Sequence, residues 1–129
     1  MAKFFIVDDD EDIVTLFEEF LRIKGHSVVA RAFNGEQAVE TYKKLVEKSE
    51  TRPDIVLMDH RMPKKDGLTA TKEILAINPD CTIIFISADS EIKKKVLEIK
   101  CTFLEKPINF RSLLERISSN SSKESKETS

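Results

Sequence analysis

The sequence is poor in the residues that announce several common chemistries. Only 3 glycines occur in 129 residues, too few and too scattered for a glycine-rich loop that cradles a nucleotide phosphate. The 2 cysteines, Cys81 and Cys101, lack the close spacing of a zinc knuckle or a redox pair. They read as buried thiols, with a disulfide between them as the lesser alternative. Neither sign of charge dominates: 21 Lys and Arg against 23 Asp and Glu leave a formal net charge of -2, which supplies no broad positive field for nucleic acid or an anionic membrane. The apolar run at Met1 to Val7 is short and stops at an acidic cluster, so it resembles neither a signal peptide nor a membrane span. The expectation is a soluble, cytoplasmic protein that binds no nucleic acid directly and no membrane.

What is present is a regular alternation. The length suits one domain with a real core. Apolar runs of strand length at Lys3–Val7, Ser27–Ala32, Asp54–Met58, Cys81–Ile86 and Thr102–Glu105 alternate with segments whose apolar residues recur at helical spacing. The first helix carries Ile13, Leu16, Phe17, Phe20 and Leu21 on one stripe and stops at Gly25. The second is capped at Asn34-Gly35 and would bury Ala38, Tyr42, Leu45 and Val46. The third spans about Leu68 to Ile77 and the fourth roughly Glu91 to Ile99; the last presents Phe110, Leu113, Leu114 and Ile117. Strict alternation of five strands and five helices predicts an α/β fold with a doubly wound parallel sheet. From Ser118 onward the chain has no apolar residue and cannot offset its ordering entropy. Residues 1–117 are therefore expected to form the domain, and 118–129 a disordered polar tail.

In such sheets ligands sit beyond the carboxyl ends of the strands, where the strand order reverses, and the chemically informative residues lie at those ends. Asp8 and Asp9 follow the first strand and Asp59 follows the third. If these strands are neighbours, three carboxylates converge, and their repulsion is relieved by raised pKa values or by a hard cation such as Mg²⁺. Lys106, fixed by Pro107, ends the fifth strand and Ser87 the fourth; together they offer an ammonium and a hydroxyl to a phosphoryl group. Plainer readings stand beside these. Asp10, Glu11 and Asp12 suit a helix N-terminus. Met62-Pro63 and Gly67 suit loop geometry, and His60 suits an exposed loop position.

In combination these residues resemble the receiver domains of two-component response regulators, of the chemotaxis-regulator type. The resemblance spans about Lys3 to Ile117. It rests on Ile6-Val7-Asp8-Asp9, on the loop from Asp59 through Met62-Pro63 to Gly67, on Ser87-Ala88, on Lys106-Pro107, and on Phe103 three positions before the lysine. The resemblance implies a flavodoxin-like sheet of order 2-1-3-4-5. It implies Asp59 as phosphoacceptor from the phosphohistidine of a sensor histidine kinase or a phosphotransfer protein. Asp9, Asp59 and the backbone carbonyl of Arg61 would bind Mg²⁺ directly, and Asp8 mainly through water. Ser87 and Lys106 would each grip a phosphoryl oxygen, and Phe103 would turn inward as the switch aromatic; a core aromatic with no switching role is the plainer alternative. Output would pass through the altered surface to a separate, unidentified protein, unless the chain belongs to a longer regulator. The domain would be a signalling phosphoacceptor with self-phosphorylating and self-dephosphorylating capacity, not an enzyme acting on other substrates.

The segment from Ser87 to Lys106 is a few residues shorter than the family pattern, with Ile99-Lys100-Cys101-Thr102 where a small Gly-Ala turn is common. Lys48 to Pro53 reads as a short insertion on the face away from the site. Arg61 and Asp89 carry opposite charges and, if paired over the site, would impede attacking water. A rival reading takes Asp8-Asp9-Asp10 as the Asp-x-Asp pair of a haloacid-dehalogenase-like phosphatase, with Asp8 as nucleophile. Against it, Asp12 stands where that family places Thr or Val, and its later acidic motif and cap are missing.

Overall fold

The computed structural model describes residues 1–118. The tail expected over 118–129 lies outside them except for Ser118, which is helical. The chain runs β1 (Lys3–Val7), α1 (Glu11–Ile23), β2 (Ser27–Ala32), α2 (Gly35–Leu45), β3 (Ile55–Asp59), α3 (Gly67–Ile77), β4 (Thr82–Ser87), α4 (Ser90–Glu98) and β5 (Thr102–Glu105). A fifth helix, α5, covers residues 110–118. The strands are parallel in the order β2-β1-β3-β4-β5. The direction of winding therefore reverses between β1 and β3, as the resemblance implies.

Side chains alternate across each strand and so divide the core in two. Phe4, Ile6, Leu57, Ile84, Ile86 and Leu104 face α1 and α5, where Val14, Phe17, Leu21, Leu113 and Ile117 meet them. Phe5, Val7, Val56, Met58, Phe85 and Phe103 face the layer of α2, α3 and α4. With both faces covered, β3 is buried from end to end, which is why its sequence is continuously apolar up to Asp59. Each fully buried side chain of this size contributes roughly 1.5–3 kcal/mol, so these two clusters carry the fold.

Local chemistry sets the helix limits. Asp10, Asn34, Asp66 and Asp89 are the N-caps of the first four helices, each accepting backbone N–H groups of the first turn. Gly25 takes φ 88° after α1, the left-handed conformation expected of it. Lys100 takes φ 60° in the short turn before β5, where glycine would be the unstrained choice. α4 is 9 residues long.

The α1 stripe differs from the one expected. Leu16 is 48 % exposed, and the buried face is Val14, Phe17, Glu18 and Leu21. The stripe is turned toward residue 14, and Glu18 is tolerated in it because Arg22 and Arg31 both bond its carboxylate. On α2, Val39 joins Ala38 and Tyr42 in the core, while Leu45 and Val46 only border it. Cys101 is buried and Cys81 partly so, both as free thiols. No helix among the described residues is long and apolar enough to cross a membrane.

Candidate phosphoacceptor and cation site

Strand register assembles the site. Val7 pairs with Met58 across β1 and β3, so Asp8 and Asp59, the next residues, emerge side by side. Asp59 pairs with Ile86, bringing Ser87 up one position later. Ser87 in turn pairs with Glu105, and the Lys106 N–H donates to the Ser87 carbonyl at 3.0 Å. Residues scattered through the sequence thus reach one rim because parallel strands end together.

Asp8, Asp9 and Asp59 each offer a carboxylate oxygen, all within 4.8 Å of one another. Asp8 and Asp59 are buried and Asp9 is exposed. Lys106 Nζ donates to Asp59 Oδ1 at 2.6 Å. Burial pushes the Asp8 carboxyl up to about 6, with the charges of Asp59 and Asp9 adding to it, against the opposing effects of the Asp10 N–H and Lys106. Burial alone would lower the Lys106 pKa. The hydrogen bond to Asp59 and the charges of all three aspartates outweigh it and hold the ammonium above the ordinary lysine range. A set of hard oxygen donors carrying more negative charge than one lysine balances suits an oxygen-seeking divalent cation.

A cavity of about 400 Å³ opens over Asp59, lined by Arg61, Ser87, Ala88, Asp89, Ser90 and Lys106. Ser87 is buried, and its Oγ accepts the Asp89 N–H at 3.1 Å. Arg61 and Asp89 both line the cavity, but no ion pair joins them among the described residues. The Asp89 carboxylate instead accepts the Glu91 N–H at 2.9 Å, capping α4. Phe103 is buried and stacks on Phe85 at 6.4 Å. His60 is half-buried rather than exposed, its ring packed on Phe85 at 5.7 Å, and it does not line the cavity. Ser90 was not foreseen; its position at the start of α4, directly after Asp89, was the available signal.

Asp10 serves the helix, not the site. Its carboxylate accepts the Asp12 and Ile13 N–H groups, and its own N–H donates to Asp8 Oδ1 at 3.0 Å. Asp8 and Asp10 are therefore not presented as a nucleophile–acid pair, as the phosphatase reading requires.

A doubly wound α/β domain with a three-carboxylate cluster at its switch point and a lysine bonded to one of those carboxylates has the architecture of a signalling receiver domain. The chain belongs to the response regulator receiver domain family, whose model matches residues 4–118. It is 38% identical over 118 residues to chemotaxis protein CheY of Bacillus subtilis (strain 168), covering 89% of this chain and 93% of that protein. It is 35% identical over 115 residues to CheY of Thermotoga maritima, covering 87% and 91%. Among solved structures, CheY in a CheX-CheY-BeF3-Mg complex from Borrelia burgdorferi superposes with a TM-score of 0.82 at 31% identity, covering 91% of this chain and 87% of that one. The chain is thus a receiver domain of the CheY-like type found in two-component systems.

Proposed function

We propose that Asp59 accepts a phosphoryl group from the phosphohistidine of a sensor histidine kinase or a phosphotransfer protein, and that the acyl phosphate changes the surface read by a separate downstream protein. The observation that carries the proposal is the placement of Asp59: its carboxylate lies within 4.8 Å of those of Asp8 and Asp9 and accepts the Lys106 ammonium at 2.6 Å. An Asp59 carboxylate oxygen attacks phosphorus, the P–N bond breaks as the P–O bond forms, and the histidine nitrogen keeps the electron pair and takes up a proton. Mg²⁺ held directly by Asp9, Asp59 and the Arg61 carbonyl, and mainly through water by Asp8, would neutralise the oxygens of the transferring group.

The chain's own residues then re-pair. Lys106 moves from the Asp59 carboxylate to a phosphoryl oxygen, a charge-assisted bond it is close enough to make. Ser87 donates its hydroxyl to another, drawing in the loop before α4. Phe103, packed on Phe85 in this structure, is the aromatic that would respond, altering the face formed by α4, β5 and α5. The setting for such signalling is the cytoplasm, and the domain acts as a phosphoacceptor without turnover of other substrates.

The test is incubation with Mg²⁺ and acetyl phosphate, read by intact mass. Wild type should gain one phosphoryl mass, Asp59→Asn none, and chelation should abolish the gain. An adduct retained in Asp59→Asn but lost in Asp8→Asn would overturn the assignment.

A further inference from the structure

Gly35 opens α2, yet the usual reasons for a glycine are absent there. Its φ is not in the left-handed region, whereas that of Gly25 is. A helix residue gains nothing from glycine, which costs about 0.5–1 kcal/mol relative to alanine. What Gly35 meets is the backbone of another segment. Its N–H donates to the Lys65 carbonyl oxygen at 3.0 Å, and a Cβ at position 35 would lie 2.7 Å from the Lys65 carbonyl carbon and 2.9 Å from its Cβ. Both are closer than side-chain carbons approach.

Neither side of this contact yields cheaply. α2 is pinned by a reciprocal cap: Asn34 Oδ1 accepts the Gln37 N–H at 2.7 Å, and Gln37 Oε1 accepts the Phe33 N–H at 2.7 Å. Across the contact, the loop leaving Asp59 is held at several points. The Lys65 N–H donates to the Pro63 carbonyl at 2.8 Å and the Gly67 N–H to the His60 carbonyl at 2.9 Å. Lys64 takes φ 68°, and Lys65 Nζ pairs with Glu73 at 2.5 Å. Gly67 itself packs on the Asp59 carbonyl, so the start of α3 is fixed against β3. A group inserted at position 35 therefore displaces residues 60–65, the stretch that carries Arg61.

We propose that Gly35 is a positioning residue of the cation site: its missing side chain lets the Lys65 carbonyl seat on the start of α2 and so fixes the course of the loop bearing Arg61. The inference rests on the reading of Asp9, Asp59 and the Arg61 carbonyl as the direct Mg²⁺ donors, with Asp8 acting mainly through water. It adds that their alignment is set from α2, through a contact made by no side chain.

The test is Mg²⁺ binding by calorimetry to wild type, Gly35→Ala and Gly25→Ala, the last being a control that strains a positive-φ turn with nothing within 4 Å of the added carbon. Gly35→Ala should bind Mg²⁺ more weakly, on the order of tenfold, as when an outer partner of a ligand is lost. Its phosphorylation by acetyl phosphate should recover at high Mg²⁺. Gly25→Ala should lose thermal stability without a change in Mg²⁺ affinity. A second measurement needs no variant: in a ¹⁵N–¹H spectrum of wild type, saturating Mg²⁺ should shift the Gly35 amide together with those of the 60–66 loop. Unchanged affinity in Gly35→Ala, equal weakening in both variants, or a Gly35 amide that ignores Mg²⁺ overturns the inference while leaving the site intact. Absence of Mg²⁺ binding in wild type overturns the site reading and the inference with it.

Discussion

Lys106 Nζ and Asp59 Oδ1 lie 2.6 Å apart across 47 positions of sequence, so the lysine already bonds the oxygen-bearing group on which the phosphoryl is proposed to land. Among the described residues it is also the ammonium that offsets the three carboxylates around it. Lys106→Met should therefore destabilise the metal-free protein. Because the lysine is 40% exposed, solvent screens the pair and the loss should be only about 1 kcal/mol. Mg²⁺ supplies the missing positive charge, so the urea midpoint of Lys106→Met should rise more on Mg²⁺ addition than that of wild type. An equal rise in both would show that the lysine does not balance the cluster.

Asp8 provides the pH dependence. Its carboxyl is raised to about 6 from an ordinary 3.8, burial being the main cause. The folded protein therefore holds this proton more tightly than the unfolded chain does. The associated stability is fully present below about pH 3.8 and is lost as pH rises through 6. Asp8→Asn removes the penalty, so at pH 7 without metal it should be more stable than wild type by about 1–2 kcal/mol, allowing for screening in an open cavity. The difference should shrink toward pH 4, and Mg²⁺ should stabilise the variant less than wild type. Urea titrations at the two pH values, each with and without the ion, give all four comparisons.

These two groups also show how much could be read beforehand. Asp8, Asp9, Asp59, Ser87 and Lys106 were legible because each stands where an apolar strand gives way to polar sequence, and parallel strands end on one rim. That β1 neighbours β3 came from family resemblance, since alternation alone leaves the strand order open. Gly35 could be placed at a helix start, but its contact with Lys65 runs between backbone atoms and leaves no mark in residue type. Leu16 was misplaced because a 3.6-residue period fixes a stripe only to within a neighbour or so. The structure settles its direction through Val14 and Glu18, and a buried glutamate is the residue a hydrophobic pattern hides.

Cys101 should be chemically inert in the folded protein. Burial raises its thiol to about 11, with Cys81 nearby adding to the shift, so at pH 8 on the order of one molecule in a thousand carries the reactive thiolate. A thiol-specific disulfide reagent at pH 8 should modify Cys101 at a rate that follows unfolding as urea is added. Rapid modification in buffer, mapped to Cys101 by peptide mass, would contradict the packing described for it.

Glu18 makes the sharpest stability prediction. Its side chain is only 8% exposed, while those of its partners Arg22 and Arg31 are 63% and 50% exposed. Arg22 Nη2 lies 2.6 Å from Glu18 Oε1, and Arg31 approaches both carboxylate oxygens, at 3.0 Å through Nε and 3.1 Å through Nη2. Either arginine alone leaves the buried carboxylate paired, so Arg22→Ala and Arg31→Ala should each cost about 0.5–1 kcal/mol, in the range of partly exposed pairs. Removing both strands a charge in the apolar face of α1, and the double variant should lose about 3 kcal/mol. The double-mutant cycle should therefore show about 1–2 kcal/mol of non-additivity, in the range known for residues sharing one network. Adding Glu18→Gln to the double variant should recover part of the loss, because the amide removes the stranded charge and keeps the shape. Simple additivity, with no recovery from Glu18→Gln, would mean that solvent reaches the carboxylate and that Glu18 is not the buried anchor of α1 on β2.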